Sequence, residues 1–317
     1  MTPLISIVVA CYNGEKFLAR TLKSVQAQTV DNWECLVVDD GSSDGTLAAA
    51  EKFAARDPRF RAVTQANAGV SAARNLGVAQ AAASAEYLHF LDSDDLLMPD
   101  ALETLLRALM DCPEAVGSHG LADQIDEVGE PLSPGEFAAY CRSRKGFDGR
   151  EIVDWPLEAP TTLAVLANCY YFLPPGVALV RRRAFAQTTG FDTYYRNGGE
   201  DWDLFSRLAR LGDFVFVDKV LIGYRRHSGG ATNNSKAMHT AGHHVKRTLF
   251  FAPENSPEQR RMLGSAYRAW QRYKYKEKRA LMQEDWTRRD ARHYAVHGLQ
   301  AAGHLLFCLR GYPSLTG

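Results

Sequence analysis

Three aspartates lie within four residues at the end of an apolar run. In "YLHFLDSDDLLMPD", Asp92, Asp94 and Asp95 directly follow residues 87–91. Unpaired ionised carboxylates are costly to bury, so such groups are protonated, paired or bound to a metal. A Mg²⁺ site uses one or two carboxylates and leaves its other positions to substrate phosphates and water. The Asp92-x-Asp94 spacing therefore indicates either a site for Mg²⁺ or Mn²⁺ or a solvated acidic turn.

A calcium-binding EF-hand is excluded at the same place. Asp92, Asp94 and Glu103 match the first, third and twelfth positions of such a loop, but Leu97 occupies the position where the turn requires glycine. The alternative role of Asp95 is to favour the N-terminus of the helix that follows.

Two further pairs of acidic residues lie at positions suited to ligand binding or catalysis. "WECLVVDD" ends in Asp39 and Asp40, and Asp39 either binds a ligand or caps the "GSSDG" turn. "GGEDWDLFSRLARLG" reads as a loop leading into a helix, with Glu200 and Asp201 in its first turn. Acidic residues there either favour the helix dipole or act as a general base aimed by a rigid helix.

The elements that must position these residues alternate along the first hundred residues. "ISIVVACY", "WECLVVDD", "FRAVTQ" and "EYLHFL" have the composition of strands, and helical patterns separate them, beginning with residues 16–28. This order predicts an α/β fold with a doubly wound, mostly parallel sheet. Such sheets bind ligands at the carboxyl ends of their strands, which here are residues 10–13, 39–40 and 92–95.

The rest of the chain is less regular. Residues 125–160 are rich in Gly, Pro and charge and are predicted to form loops over the site. "GVALVRRRAF", "FVFVD" and "VLIGYRRH" are predicted strands, and helices follow His227. The aromatic residues Tyr170, Tyr171 and Phe172 form either an acceptor platform or core packing.

Composition excludes several classes of protein. The 317 residues are 46% hydrophobic and carry 37 Lys and Arg against 37 Asp and Glu, so no global charge attracts nucleic acid. Residues 1–110 carry 9 basic against 14 acidic side chains, whereas residues 236–317 carry 15 against 6. The six cysteines are scattered without paired spacing, which favours reduced thiols and a cytoplasmic protein. The N-terminal residues lack the features of a signal peptide, and no apolar run is long enough to span a bilayer.

Six stretches together resemble family 2 glycosyltransferases, whose fold is called GT-A. They cover about residues 4–230 in the order of that family: "SIVVACYNGEKFLARTLKSVQAQT", "CLVVDDGSSDGT", "NAGVSAARNLG", "FLDSDDLLMPDAL", "GGEDWDLFSRLA" and "YRRH". The sequence departs from the family at "VVACYN", where many relatives have Pro-Thr or Pro-Ala before Tyr-Asn. That departure leaves contacts between the backbone and a ligand plausible there, and it weakens the prediction of any side-chain contact with the ligand.

The resemblance implies roles for particular residues. The implied metal ligands are Asp92, Asp94 and His227, with Asp94 the more direct. Asp201 is implied as the catalytic base, with Glu200 beside it. The implied nucleotide-binding residues are Ala10, Tyr12, Asn13, Asp40, Arg74, Ser93 and Arg225. Among these, Asp40 is implied to accept the imide N–H of the base, and Arg74 to reach the base or phosphate side. Two of these residues also have a purely structural alternative. Arg74 could be a solvated helix residue, and His227 could be an ordinary core or surface histidine.

The function implied is inverting transfer of a sugar from a nucleotide-diphosphate sugar, first a UDP-sugar, to a saccharide or lipid-linked acceptor. Such reactions serve polysaccharide biosynthesis and the cell envelope. The alternative is a catalytically silent nucleotide-sugar-binding or scaffold protein of the same fold. An oxidoreductase is excluded because "ACYNGE" replaces the required G-x-G-x-x-G after the first strand.

The predicted division is a GT-A domain at 1–235 and a helical extension at 236–317. Within the first domain, about residues 1–110 form the nucleotide-binding half and about 111–235 the acceptor and catalytic half. In residues 256–310 basic and aromatic side chains interleave, which predicts either peripheral contact with the inner face of an anionic membrane or a packing or homodimer element.

Overall fold

Strands and helices alternate through the first hundred residues. The structure is a computed structural model that describes residues 4–167, 172, 174–195, 198–230, 235–287 and 291–310. The first elements are β1 (Ile5–Cys11), α1 (Glu15–Gln26), β2 (Trp33–Asp39), α2 (Thr46–Ala54), β3 (Phe60–Thr64), α3 (Val70–Gln80) and β4 (Tyr87–Asp92). β1 and β2 are apolar along almost their whole length and buried, as expected for strands covered on both faces.

Later elements are more varied in length. They are β5 (Leu96–Leu97), α4 (Ala101–Asp111), β6 (Gly117–Ile125), α5 (Glu136–Arg142), β7 (Lys145–Phe147), β8 (Ile152–Asp154), α6 (Leu163–Leu166), β9 (Ala178–Arg181), α7 (Arg182–Phe185), α8 (Glu200–Leu208), β10 (Phe214–Arg225), α9 (Ser235–Phe251), α10 (Pro257–Thr287) and α11 (Ala291–Arg310). A short 3₁₀ turn at Pro175–Val177 precedes β9.

An eight-stranded sheet has the order β3-β2-β1-β4-β9-β6-β10-β5. The pairs β1–β2, β1–β4, β2–β3 and β6–β10 are parallel. β9 runs antiparallel to both of its neighbours, and β5 runs antiparallel to β10. The predicted α/β fold with a mostly parallel sheet and C-terminal helices is confirmed.

The register of the parallel strands brings the acidic strand ends to one edge. Cys11 of β1 lies opposite Asp39 of β2, and Ala10 lies opposite Asp92 of β4. Because three parallel strands end at the same level, the loops that follow them are neighbours.

Two predicted features differ from the structure. Residues 125–160, expected to be loops, contain α5 and the β7–β8 hairpin. The two strands expected in "FVFVD" and "VLIGYRRH" form the single strand β10, whose pairing with β6 shifts register between Phe216 and Val220. A bulge of this kind lets one long strand continue through a sequence whose apolar pattern is interrupted.

The chain divides into two compact units. One comprises residues 1–144, 156–163 and 170–245, and the other 145–155, 164–169 and 246–317. The second unit has its own core, in which Phe147 packs with Ala266 and Ala269 of α10. In its basic and aromatic run, Trp270 is 9% exposed and stacks on Tyr273. None of the described helices combines the length and apolar character needed to cross a membrane.

Candidate active site

The third aspartate of the acidic turn ties two strands together. Asp95 is completely buried, and its Oδ1 accepts the backbone N–H of Arg225 at 2.9 Å. Burial raises the pKa of the Asp95 carboxyl well above its usual range, and the charges of Asp94 and Asp92 add to this effect. Asp95 therefore joins the end of β10 to the turn that follows β4.

Arg225 strengthens the same junction. Its Nε donates to the backbone oxygen of Asp94 at 2.6 Å, and its Nη1 donates to the carbonyl oxygens of Asp126 and Glu127, each at 2.8 Å. The side chain is buried, its Nε and Nη1 are occupied by backbone oxygens, and its Nη2 has no hydrogen-bond partner among the described residues. A direct contact between Arg225 and a nucleotide stays a prediction.

Two of the predicted metal ligands meet beside this junction. His227 Nε2 lies 2.8 Å from Asp94 Oδ2, and the two side chains are 13% and 31% exposed. The ring of Phe17 packs against the His227 ring with centroids 4.7 Å apart. Phe17 is therefore a site residue. The sequence alone placed it only within the predicted helix of residues 16–28.

The side chains at this junction meet part of the needs of a divalent cation. Within the part of the chain that the structure describes, no group of three or more His, Cys, Asp and Glu side chains is arranged to hold a metal ion. Asp94 and His227 nevertheless offer one carboxylate and one imidazole that are partly open to solvent. This pair fits a cation whose remaining positions are filled by phosphate oxygens and water.

Arg74 connects the acidic turn to the acidic helix. Its Nη2 donates to Asp92 Oδ1 at 2.6 Å, and its Nη1 donates to Glu200 Oε1 at 2.8 Å. Arg74 is 2% exposed, and both carboxylates raise the pKa of its guanidinium against the opposing effect of burial. The alternative of a solvated helix residue is excluded, whereas contact between Arg74 and a base or phosphate stays a prediction.

Asp201 lies next to this ion network at the start of α8. Burial, then the charge of Glu200, raise the pKa of the Asp201 carboxyl to about 7, and Arg74 opposes the shift. Gly199, with φ +96°, adopts the left-handed conformation that lets the chain turn sharply into the helix. A carboxyl group with this pKa can exchange a proton near neutral pH, as a general base requires.

The first part of α9 packs on the start of α8, where Asp201 lies. A Cβ on Gly199 would lie 3.0 Å from Ala241 Cβ, and a Cβ on Gly242 would lie 3.1 Å from the Trp202 ring. The glycines permit this close approach, so α9 contacts the backbone that precedes Asp201 and the Trp202 ring that follows it. Sequence periodicity identified the helix but contained no signal for this contact.

The second acidic strand end is satisfied by the backbone. Asp40 Oδ1 accepts from Gln65 Nε2 at 2.7 Å and from the Ala68 N–H at 2.9 Å, and its Oδ2 accepts from the Gly69 N–H at 2.8 Å. Asp40 is 3% exposed and holds the loop before α3 in shape. Asp39 accepts weakly from the Ser42 N–H and at 3.1 Å from Thr64 Oγ1, as its predicted turn-capping alternative requires.

The other predicted nucleotide contacts surround these strand ends. Asn13 has φ +50°, and its Oδ1 accepts the Ser43 N–H at 2.9 Å, so it joins the loops after β1 and β2. Tyr12 is 56% exposed, and the Ser93 side chain lies beside Gly14. With Ala10 in register with Asp92, all of these residues lie around the same edge of the sheet, and their contacts with a nucleotide stay predictions.

The proposed aromatic platform receives no support where it can be described. Phe172 is fully buried and packs against the rings of His119, Phe205 and Phe214. This is the core-packing alternative. Tyr170 and Tyr171 lie outside the described residues.

Comparison with solved structures identifies the fold as GT-A. The mannosyltransferase PcManGT from Pyrobaculum calidifontis, in complex with GDP-Man and Mn²⁺, matches with a TM-score of 0.58 at 17% identity. The match covers 98% of this chain and 88% of that protein. TarS 1–349 of S. aureus, in complex with UDP-GlcNAc, matches with a TM-score of 0.57 at 16% identity, covering 96% and 92% of the two chains.

The sequence comparisons define the family. Residues 6–189, more than half of the chain, match the model for glycosyl transferase family 2, and the chain belongs to this family. Escherichia coli chondroitin synthase is 28% identical over 236 residues, which are 74% of this chain and 30% of that protein. Glycosyltransferase GlyG of Streptococcus pneumoniae is 29% identical over 244 residues, 72% of this chain and 73% of GlyG. The chain thus spans about a third of the length of the synthase.

Proposed function

We propose that the protein is an inverting glycosyltransferase that moves a sugar from a nucleotide-diphosphate sugar to a hydroxyl group of a saccharide or lipid-linked acceptor. The observation that carries the proposal is the Arg74 bridge. It joins Asp92 of the acidic turn to Glu200, which directly precedes the proposed base Asp201, so the proposed donor and acceptor sites adjoin one charged network. A role in polysaccharide or cell-envelope synthesis follows from the acceptor class.

The proposed chemistry is a single displacement. Asp201 accepts the proton of the acceptor hydroxyl while that oxygen attacks the anomeric carbon. The bond from this carbon to the diphosphate oxygen breaks, and the nucleoside diphosphate leaves from the opposite face, which inverts the anomeric centre. The pKa of about 7 supports this role, because the carboxylate is then both ionised and basic enough near neutral pH.

Asp94 and His227 are the residues proposed to hold the divalent cation, Mg²⁺ or Mn²⁺, with Asp92 beside them. When bound, the cation supplies Lewis-acid stabilisation of the negative charge on the leaving diphosphate. His227 is held in place by Phe17, and the backbone of the Asp94 turn is held by Arg225. The protein therefore orients both groups before any ligand arrives.

Asp40 is proposed to recognise the base. Its carboxylate already accepts three hydrogen bonds, and a carboxylate has about four acceptor positions, so one acceptor position on Oδ2 is left. The imide N–H of uracil matches that need. UDP is therefore the first nucleotide to test, with dTDP and GDP as alternatives.

The decisive experiment is calorimetric titration of the protein with UDP-, dTDP- and GDP-sugars in Mn²⁺ and in EDTA. We expect one nucleotide class to bind, with binding weakened by EDTA and by Asp94→Ala. Nucleotide release by wild-type protein then separates an enzyme from the silent scaffold alternative. Failure of every nucleotide sugar to bind would reject the proposal.

A second partner is proposed for α11. Val296 and Leu299 are 44% and 77% exposed, one helical turn apart, in a region with a net positive charge. An anionic membrane surface matches both properties, and a homodimer is the alternative. Sedimentation with phosphatidylglycerol vesicles tests this proposal with the double variant Val296→Glu and Leu299→Glu. If α11 binds a membrane, the double variant would no longer pellet with the vesicles. If α11 forms a homodimer, the double variant would change only the oligomeric state.

A further inference from the structure

Three aromatic rings cluster just before the catalytic helix α8. The rings of Tyr194 and His244 stack with centroids 4.2 Å apart and an interplanar angle of 24°. Tyr195 meets both rings edge-on, at 5.7 Å from Tyr194 and 5.4 Å from His244. Tyr195 is 3% exposed, whereas Tyr194 is 66% exposed. The cluster therefore combines a buried support with a ring presented to solvent.

The loop that carries Tyr194 is fixed by α3. Asn75 Oδ1 accepts the Phe191 N–H at 2.8 Å, and Asn75 Nδ2 donates to the Phe191 oxygen at 2.8 Å. The Tyr194 N–H donates to Asp192 Oδ1 at 2.9 Å. Asn75 neighbours Arg74, so the loop is held by the same helix that supports the ion network. Tyr194 is thus oriented in advance, which lowers the entropy lost when a ligand binds to it.

The ring cluster also adjoins the proposed base. A Cβ on Gly199 would lie 3.3 Å from the Tyr195 ring, and Gly199 directly precedes Glu200 and Asp201. The backbone that enters α8 is therefore packed on Tyr195. The Tyr195 ring in turn contacts the Tyr194 ring. Tyr194 is therefore linked to the start of α8 through the packing of Tyr195.

We propose that Tyr194, supported by His244, is a subsite for one pyranose ring of the acceptor. The face of an aromatic ring is electron-rich, and the C–H groups on one face of a pyranose carry partial positive charge, so the two faces attract. The hydroxyl groups at the sugar rim keep their contacts with water. This inference rests on the proposed function and deepens it, because it selects a saccharide as the acceptor.

The first test uses full-length protein with saturation-transfer NMR, which needs no catalysis. The probes are the methyl β-glycosides of glucose, galactose and N-acetylglucosamine, and glycerol serves as a polyol without a ring. Wild type, Tyr194→Ala, Tyr194→Phe and a matched exposed control, Tyr140→Ala, are compared. Tyr140 is 56% exposed and lies on α5 beside Phe137.

We expect saturation of the ring protons of at least one glycoside in wild type, Tyr194→Phe and Tyr140→Ala, with its loss in Tyr194→Ala. For that glycoside as acceptor, Tyr194→Ala is expected to raise KM about three- to tenfold, the range for one aromatic contact. Equal signals in all four proteins, or no signal in wild type, would overturn the subsite. A wild-type protein that binds glycosides but no nucleotide sugar would instead overturn the proposed function alone.

Discussion

The two acidic strand ends differ in how their carboxylates are satisfied. At the β2 end, Asp40 accepts three hydrogen bonds from its own chain and holds a loop in shape. Around β4 and α8, Asp92 and Glu200 share the single guanidinium of Arg74, and Glu200 Oε2 and Asp95 Oδ2 lack a hydrogen-bond partner among the described residues.

This difference indicates that the carboxylate of the first region maintains the shape of a loop, whereas those of the second region are suited to proton transfer. A carboxylate surrounded by N–H donors serves as a fixed hydrogen-bond acceptor. Carboxylates that are buried together with too few cations hold their protons more tightly, as the raised pKa of Asp201 illustrates. We therefore expect the first region to respond to mutation through loop structure and base recognition, and the second through turnover and its pH dependence as well as through the stability that Arg74 provides.

The largest effect is expected for Asp201→Asn. Removal of the proposed base is expected to lower kcat about 10²–10⁴-fold while leaving donor affinity nearly unchanged. The matched control is Asp203→Asn on the same helix, because Asp203 is paired with Arg207 at 2.6 Å. Steady-state kinetics and donor titration check this, and full turnover in Asp201→Asn would contradict the assignment.

Arg74→Ala is expected to have the next largest effect. It leaves Asp92 and Glu200 without their shared cation, and breaking such a buried pair lowers the free energy of unfolding by about 3–5 kcal/mol. Arg74→Lys keeps the charge but lacks the planar fork that contacts both carboxylates, so an intermediate loss is expected.

Urea denaturation measures both variants. Arg107→Ala is the control, since Arg107 pairs with Glu103 on the surface of α4 with its side chain 74% exposed. Its loss is expected to be within about 0.5 kcal/mol. Equal losses for Arg74→Ala and Arg107→Ala would show that the buried bridge does not stabilise the fold.

Asp40→Asn tests the contrasting region. The amide replaces one acceptor oxygen with a donor that faces backbone N–H groups, so the free energy of unfolding is expected to fall by about 1–3 kcal/mol. The same variant is expected to weaken UDP binding in EDTA as well as in Mn²⁺, because the base contact does not involve the cation. Unchanged stability and affinity would show that Asp40 belongs to neither task.

The smallest effect is expected in the pH profile. Because the pKa of Asp201 is about 7, kcat/KM is expected to fall as pH drops below that value and the base is protonated. Glu200→Gln removes a charge that raises this pKa, so the inflection is expected to move to lower pH. An unchanged inflection would show that Glu200 does not set the pKa.

The same pKa has a consequence for stability. The folded pKa of about 7 exceeds the reference value of 3.8, so between these values the folded protein binds more protons than the unfolded protein. Asp201 therefore lowers the free energy of unfolding as pH rises through this window. Asp201→Asn is expected to remove that part of the pH dependence in urea titrations.

Sequence reasoning brought the candidate residues together because strand ends can be predicted from local sequence. Continuous apolar runs predicted β1, β2 and β4, and their parallel order placed Asp40, Asp92 and Asp94 at one edge. Asp201 was predicted at a loop-to-helix junction, where the structure has it at the start of α8.

What sequence reasoning missed are contacts between distant elements. The pattern of α3 marks which face is buried, but it does not show that Arg74 meets Glu200, 126 residues later. The role of Asp95 depends on β5, a two-residue strand too short to leave a periodic signal, which pairs with β10. Phe17 lies within the helical pattern predicted for residues 16–28, and its ring neighbour His227 could not be inferred from helical spacing.

The helix α9, which packs beside the proposed base, lies beyond the segment that the family model matches. The matched family segment ends at residue 189, whereas the proposed base and the helix that braces it lie between 200 and 245. Chimaeras that exchange C-terminal helices between relatives would therefore inherit a misaligned base if joined at 189 or 235. A junction placed inside α9, after His244, keeps the proposed donor site, the proposed base and the part of α9 that packs beside the base in one segment from the same parent.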